Sequence, residues 1–417
     1  MKNWVCFLFL ALITHQQYHI LQIEAIDSFV RRNGIHLMLN GSPYYANGFN
    51  AYWLMYMASD PSQKSKVSSV FREASTHGLT VARTWAFNDG GYRSLQYSPG
   101  SYSEQSFRGL DFVIAEARRY GIKLILSLVN NYDSFGGKKQ YVNWARNQGQ
   151  YLQSEDDFFR NPVVRSYFKN HIRRILNRYN TVTGVMYKND PTIMAWELMN
   201  EPRCPSDPSG RTIQAWLMEM ASYVKSIDRN HLLEAGLEGF YGYSTPQKKN
   251  TVNPSGINVG TDFLANNRIP DIDFVTLHSY PDEWLLGSND QYKLSFMNKW
   301  IDSHIYDAQY ILGKPILLAE FGKSWKKPGY STYQRDQLFS SVYFKVYLSA
   351  KRGGPAAGAM FWQLLTEGMD SFRDGYDVVL SQSTSTANII RQQSRKLYLI
   401  RKIFEGRGKK GNDPGLF

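Results

Sequence analysis

Along most of its length the chain alternates short, nearly unbroken apolar runs with stretches whose apolar residues return every three or four positions. Eight short runs stand out, at residues 44–53, 79–87, 122–129, 192–200, 232–240, 273–280, 315–321 and 358–364. The run Ile122-Lys123-Leu124-Ile125-Leu126-Ser127-Leu128-Val129 reads as a strand covered on both faces, as parallel strands are. Residues 103–120, 161–179, 214–227, 291–312 and 333–350 read as helices. In the first of these Leu110, Val113, Ile114 and Ala117 recur at helical spacing, and Gly121 marks the end. Eight strands alternating with helices predict one α/β domain, a single (β/α)8 TIM barrel, rather than two open sheets. No linker interrupts the pattern.

Two connections are longer than a barrel needs. Residues 130–160 follow the third strand and carry Tyr132, Tyr141, Trp144 and Tyr151; residues 239–270 follow the fifth and are rich in Gly, Asn and Pro. Both extended loops leave from strand C-termini, the end where barrels keep their active sites. Functional residues are therefore expected at strand tips.

Composition narrows the class. Of 417 residues, 43% are hydrophobic and 20% charged, which excludes a fibrous or mostly disordered chain. The 10 Trp, 28 Tyr and 23 Phe are a surplus suited to stacking on flat ligands. Two cysteines, Cys6 and Cys204, provide neither a disulfide framework nor a Cys-rich metal site. Lys2 and the apolar stretch 4–13 read as a secretory signal, cut after Ala25, so residues 1–25 are expected to be removed and 26–417 to form the catalytic domain with a short basic tail. No later stretch is apolar enough to span a bilayer, and Asn40-Gly41-Ser42 is a glycosylation sequon.

The net charge of +12 invites a nucleic-acid partner, but the basic residues are dispersed over helices, with the densest cluster at Arg407, Lys409 and Lys410. Adhesion to acidic extracellular polymers suits that pattern better, and no nucleic acid or membrane partner is expected. The tail also matches Gly-x-Gly-x-x-Gly at Gly406, Gly408 and Gly411, without the strand before it that a dinucleotide site requires. No zinc-protease, serine-esterase or phosphate-loop motif occurs, and neither cofactor nor metal is expected.

The fourth run ends Trp196-Glu197-Leu198-Met199-Asn200-Glu201-Pro202-Arg203, and the seventh ends Leu317-Leu318-Ala319-Glu320-Phe321-Gly322. A carboxylate at the tip of each of two strands is what a retaining glycosidase needs: one group protonates the leaving oxygen and the other, about 5–5.5 Å away, attacks the anomeric carbon. A strand-end glutamate taken alone serves equally well as a helix cap or salt-bridge partner.

The surrounding wording decides between these readings. Asn200-Glu201-Pro202 and Glu320-Phe321-Gly322 resemble glycoside hydrolase family 5. The longer segments WELMNEPRC, ARTWAFND, TLHSYPD and LLAEFGKS resemble the plant endo-β-1,4-mannanases within it, from about Phe29 to Phe404. The resemblance implies Glu201 as acid/base, with a raised pKa, and Glu320 as an ionised nucleophile. It also implies that Asn200 bonds the sugar 2-hydroxyl, that Tyr280 donates to Glu320, and that Trp362 floors the cleaved sugar. Arg83, near the tip of the second strand, is the natural cation for Glu320. Thr276, His278 and Tyr280 share parity, with Val275 and Leu277 facing the helices, which by itself puts His278 and Tyr280 in the mouth. Trp85 shares parity with Arg83 and is expected to line the same cleft.

Trp53, Trp284 and Trp325 suit outer platforms or loop packing equally, while Trp216 and Trp300 lie within helices and read as core. Glu197 is expected in a buried ion pair, and His171 and His304 on the surface or in packing. The resemblance implies a secreted, monomeric, endo-acting retaining hydrolase of β-1,4-mannosidic bonds in mannans, galactomannans and glucomannans, with transfer to sugar acceptors as a side reaction. The alternatives are a β-1,4-glucanase on the same scaffold and a catalytically silent carbohydrate-binding protein.

Overall fold

The computed structural model describes residues 28–410, with side chains through Glu405. The expected signal segment, with Cys6, lies outside them, as do the side chains of the basic tail. Eight strands form the frame: β1 (Ala46–Asn50), β2 (Val81–Trp85), β3 (Lys123–Ser127), β4 (Ile193–Glu197), β5 (Leu232–Glu234), β6 (Val275–Ser279), β7 (Ile316–Phe321) and β8 (Ala356–Phe361). They pair in parallel in the order β5-β4-β3-β2-β1-β8-β7-β6. Between β5 and β6 the ring closes through two backbone bonds rather than a ladder: Asp273 N–H donates to Leu233 C=O (2.8 Å) and His278 N–H to Glu238 C=O (2.9 Å). This is the (β/α)8 barrel that the periodicity predicts.

The outer helices are α1 (Lys64–Thr76), α2 (Glu104–Arg119), α3 (Pro162–Leu176), α4 (Arg211–Ile227), the short α5 (Phe263–Asn267), α6 (Asp290–Asp307), α7 (Thr332–Lys351) and α8 (Thr384–Lys410). Local chemistry sets their ends. The Ser103 hydroxyl accepts from Ser106 N–H (3.2 Å) at the start of α2, and Gly121 at φ +71° follows its end. Asn161 caps α3 ahead of Pro162, and Ser331 with Gln334 forms a reciprocal capping box on α7. Helix α6 stops earlier than its apolar pattern, because residues Ala308–Leu312 widen into a π-type turn ended by Gly313 at φ +59°.

Two features differ from the sequence expectation. Strand β5 ends at Glu234, well short of residue 240, because Gly236 turns the chain at φ +82°. A Cβ there would sit 1.7 Å from the Met199 carbonyl oxygen, so only glycine lets this crossing approach the loop that carries Glu201. The second is an N-terminal antiparallel sheet, Arg31–Asn33, His36–Leu39 and Ser42–Pro43, which seals the bottom of the barrel. Val30, Leu37, Leu39 and Tyr44 pack there on Ala46, Val81, Ile125, Met194, Phe274 and Leu317. Each such side chain contributes about 1.5–3 kcal/mol by leaving water.

The long loops are partly ordered by their own short helices, Gly137–Asn147 within 130–160 and Pro246–Thr251 within 239–270. Residues 406–410 continue α8, so the described part of the Gly-x-Gly-x-x-Gly match lies within a helix, with no strand before it. Among the described residues no helix is long and apolar enough to cross a membrane.

Candidate active site

At the C-terminal end of the barrel the interior changes from apolar to polar. Arg83, fully buried on β2, organises this layer. Its Nε and Nη2 bond both oxygens of Glu197 (2.6 and 2.7 Å), Nη2 also donates to Asn200 Oδ1 (2.7 Å), and Nη1 reaches Asn50 Oδ1 (3.0 Å) and Glu320 Oε1 (2.5 Å). The planar guanidinium thus spans strands β1, β2, β4 and β7, a task a lysine point charge does not perform. Glu197 takes the ion-paired place expected of it.

Glu320 ends β7 with its second oxygen held by the Tyr280 hydroxyl (2.6 Å). Glu201 stands opposite, just past β4. The Tyr132 hydroxyl donates to its Oε2 (2.7 Å), and His278 Nδ1 lies 2.6 Å from its Oε1 and 3.7 Å from Glu320 Oε2. Donor atoms of Glu201, His278 and Glu320 lie within 4.8 Å of one another. That span would also suit a metal ion, but both oxygens of each carboxylate already have donors. The backbone at Glu201 is left-handed, φ +50°, a conformation that costs about 1–3 kcal/mol in a non-glycine residue. Its N–H donates to the Gly236 carbonyl (2.9 Å), while Asn200 Nδ2 bonds Asn130 Oδ1 (2.9 Å), so neighbouring strands hold the turn.

Burial and charge distribute the protons. Burial, then the adjacent Glu197 carboxylate, pushes Glu234 well above the carboxylate range. Burial also raises Glu320, partly offset by His278 and Arg83. For Glu201 burial acts upward, but the hydrogen bond and charge of His278, then Arg203 and Tyr132, outweigh it and hold the carboxyl at about 2. His278 is raised above the imidazole range: burial opposes its charge, but Glu320 and Glu201 prevail. These directions are the reverse of the expected ones, Glu201 high and Glu320 low. The physical reason is His278, whose Nδ1 lies 2.6 Å from Glu201, so the acid and its neighbour titrate as a pair.

The cleft above these groups encloses about 400 Å3 and is lined by Trp85, Asn130, Tyr132, Arg203, Trp362 and Tyr376, among others. All eight sequence-derived residues, Arg83, Trp85, Asn200, Glu201, His278, Tyr280, Glu320 and Trp362, come together here. Trp362 Nε1 donates to Asp374 (2.6 Å), and its ring stacks on Tyr52 at 5.6 Å and 13°. Trp284 lines the cleft, while Trp325 lies outside it and bonds Asp377. Trp53 is no platform: it is fully buried, with Nε1 bonded to the Leu364 carbonyl. Trp216 and Trp300 are core, and His171 and His304 are buried packing residues.

Sequence reasoning passed over Tyr132, Asn50, Asn130 and the Arg203–Glu238 pair. Arg203 bonds both oxygens of Glu238, a buried acid that burial and then the Glu201 charge raise to about 7. Tyr132 lay in a loop already singled out for its aromatics, and Arg203 within a quoted motif. Their partners, however, come from distant strands.

A barrel with two carboxylates at the tips of β4 and β7, set in an aromatic cleft, has the architecture of a glycoside hydrolase. The model of the GH family 5 beta-mannosidase-like family matches residues 27–370, and the chain belongs to glycoside hydrolase family 5, among its plant endo-1,4-β-mannanases. It is 67% identical to mannan endo-1,4-beta-mannosidase 7 of Arabidopsis thaliana over 97% of this chain and 94% of that one. It is 63% identical to mannan endo-1,4-beta-mannosidase 1 of Oryza sativa subsp. japonica over 90% and 87%. The hyperthermostable endo-1,4-beta-D-mannanase of Thermotoga petrophila RKU-1 superposes with a TM-score of 0.72 at 33% identity, covering 84% of this chain and 99% of that one.

Proposed function

We propose that this chain is an endo-acting retaining hydrolase of internal β-1,4-mannosidic bonds in mannans, galactomannans and glucomannans. The observation that carries the reading is the pair of facing carboxylates with opposite support: Glu320 bonded by Arg83 and Tyr280, Glu201 by His278 and Tyr132. One oxygen of Glu201 lies within 4.8 Å of one oxygen of Glu320, a close approach that supports the short carboxyl separation of a retaining enzyme.

Glu320 attacks the anomeric carbon as the glycosidic oxygen takes a proton from Glu201. The proton reaches Glu201 from His278 along the 2.6 Å contact, as bound sugar displaces water and disfavours the ion pair. Arg83 and Tyr280 keep the Glu320 oxygens in place; both remain donors, because burial and then the Glu320 charge push the Tyr280 phenol far above its usual value. Water, deprotonated by Glu201, then attacks the same carbon and releases Glu320. A sugar hydroxyl in place of water gives transglycosylation. Asn200, fixed by Arg83 and Asn130, is positioned for the sugar 2-hydroxyl, and Trp362 for the apolar face of the ring.

The same reading takes residues 1–25 as a secretory signal and 26–417 as one catalytic domain acting as a monomer in the cell wall, with Asn40 exposed for glycosylation. The charge of +12 supports adhesion to acidic wall polymers. The test is viscosity loss and reducing-end release on glucomannan, galactomannan and carboxymethyl cellulose. Rapid viscosity loss on the mannans alone is expected, with Glu320→Ala reduced roughly 10⁴-fold or more while still folded. Cleavage of the cellulose derivative instead would replace the substrate with β-1,4-glucan. Unchanged turnover in Glu320→Ala would remove the mechanism.

A further inference from the structure

At the end of the barrel opposite the catalytic cleft, a cavity of about 370 Å3 lies between the C-terminus of α1, the segment leading into β1, and α8. Small-ligand sites occupy about 300–1,000 Å3. Its lining includes Arg391, Arg395, Arg401 and His77 and contains no aspartate or glutamate. Arg391 and Arg395 are exposed and one helical turn apart, an arrangement of like charges that disfavours a helix unless an anion lies between them. Among the described residues the one hydrogen bond of Arg391 is to the His77 ring (3.3 Å), and Arg395 has no ion pair or hydrogen bond. The contrast is on the same helix: Arg401 and Lys402 share Glu405 at 2.9 and 2.7 Å.

Two further features go beyond simple anion attraction. Tyr45, Tyr120 and Tyr398 line the same cavity, and Tyr398 is 52% exposed. Asn47, also in the lining, is 2% exposed; its Nδ2 donates to Ser394 Oγ (2.7 Å), but its Oδ1 has no donor. A buried carbonyl oxygen of this kind is an open acceptor for a hydroxyl. The negative end of the α1 dipole opposes an anion here, but the last α1 carbonyls are already taken by the N–H groups of His77, Gly78 and Leu79.

We propose that this cavity is a second, non-catalytic glycan site for a sugar chain bearing carboxylates, a uronate oligosaccharide. Arg391 and Arg395 bind the carboxylates, Tyr45, Tyr120 and Tyr398 pack on the pyranose faces, and Asn47 accepts from a ring hydroxyl. The proposal sharpens the adhesion reading above and is independent of the catalytic one. A chain held from the bottom of the barrel leaves the mouth free for a neutral polymer.

The test is calorimetric titration of the full chain with trigalacturonate at low ionic strength, with saturating mannotriose present to occupy the catalytic cleft. Binding is expected, and Arg391→Ala/Arg395→Ala is expected to weaken it roughly tenfold with mannan turnover unchanged. The control Arg211→Ala/Arg229→Ala removes the same charge from exposed positions elsewhere and is expected to leave binding intact. Four outcomes would overturn the site: no binding, equal weakening by both double variants, displacement by mannotriose, or inorganic phosphate binding as tightly as the uronate. Each reads independently of whether the chain hydrolyses mannan.

Discussion

At the mouth of the barrel Arg83 is fully buried and bonded to two carboxylates, with Glu234, Glu201 and His278 crowded around them. At the bottom, the inward positions Ala46, Val81, Ile125 and Leu317 pack under Leu37 and Leu39 without a charge among them. One closed sheet carries both. Burying ionic groups is costly even when each is paired, whereas apolar burial is favourable without directional demands. The lower end therefore offsets the cost of holding a polar site in a dry cavity, and the strained turn at Glu201 adds to what must be offset.

That division can be broken most severely at Arg83. Arg83→Met removes the cation from Glu197 and Glu320 at once, and is expected to cost about 3–5 kcal/mol in denaturant unfolding along with nearly all turnover. Leu37→Ala attacks the other end. It is expected to cost about 2–5 kcal/mol of stability with kcat/KM unchanged, since the plug touches no group in the cleft. A fall in kcat/KM comparable to the fall in stability would mean the two ends are mechanically coupled.

A smaller effect is expected from Tyr132→Phe, which deletes the hydroxyl bonded to Glu201 while keeping the ring. Hydrogen bonds to charged groups are worth about 1.5–3 kcal/mol, so kcat/KM should fall about 10- to 100-fold with little change in unfolding. The least disruptive change concerns pH alone. Glu320 must be ionised and lies above the usual carboxylate range, so activity should fall on acidification before an ordinary carboxylate would titrate. The His278–Glu201 pair must hold its proton, and His278 lies above the imidazole range, so the alkaline limb should sit above about pH 6.5. In His278→Gln that limb should move to lower pH, because the proton then belongs to a carboxyl alone. An alkaline limb that does not move would assign the proton to another group, with Glu238, raised to about 7, the next to mutate.

Much of this was legible from the chain. Each of the eight apolar runs overlaps one of the eight strands, and the predicted helix starts at 103 and 161 fall on the observed caps Ser103 and Asn161. Parity on β6 put Val275 and Leu277 toward the helices and Thr276 and His278 inward, as found. Less legible was the early end of β5, because an apolar run does not reveal that Gly236 must turn to clear Met199. Trp53 looked equally suited to a platform or to packing, since aromatic character carries no information about which side of a loop it faces.

Sequence by itself determined the alternation of elements and the placement of Glu201, Glu320 and Tyr280 at strand ends, with Arg83 within β2, because these follow from interactions within a few residues. Only the tertiary structure decided the partners. Closing the sheet sets the register of distant strands, and that register brings His278 to Glu201, Tyr132 across from β3, and Arg83 between two acids. The proton order in the site follows from those distances and from burial. Both are properties of the packed barrel, and neither is encoded in any short stretch of the chain.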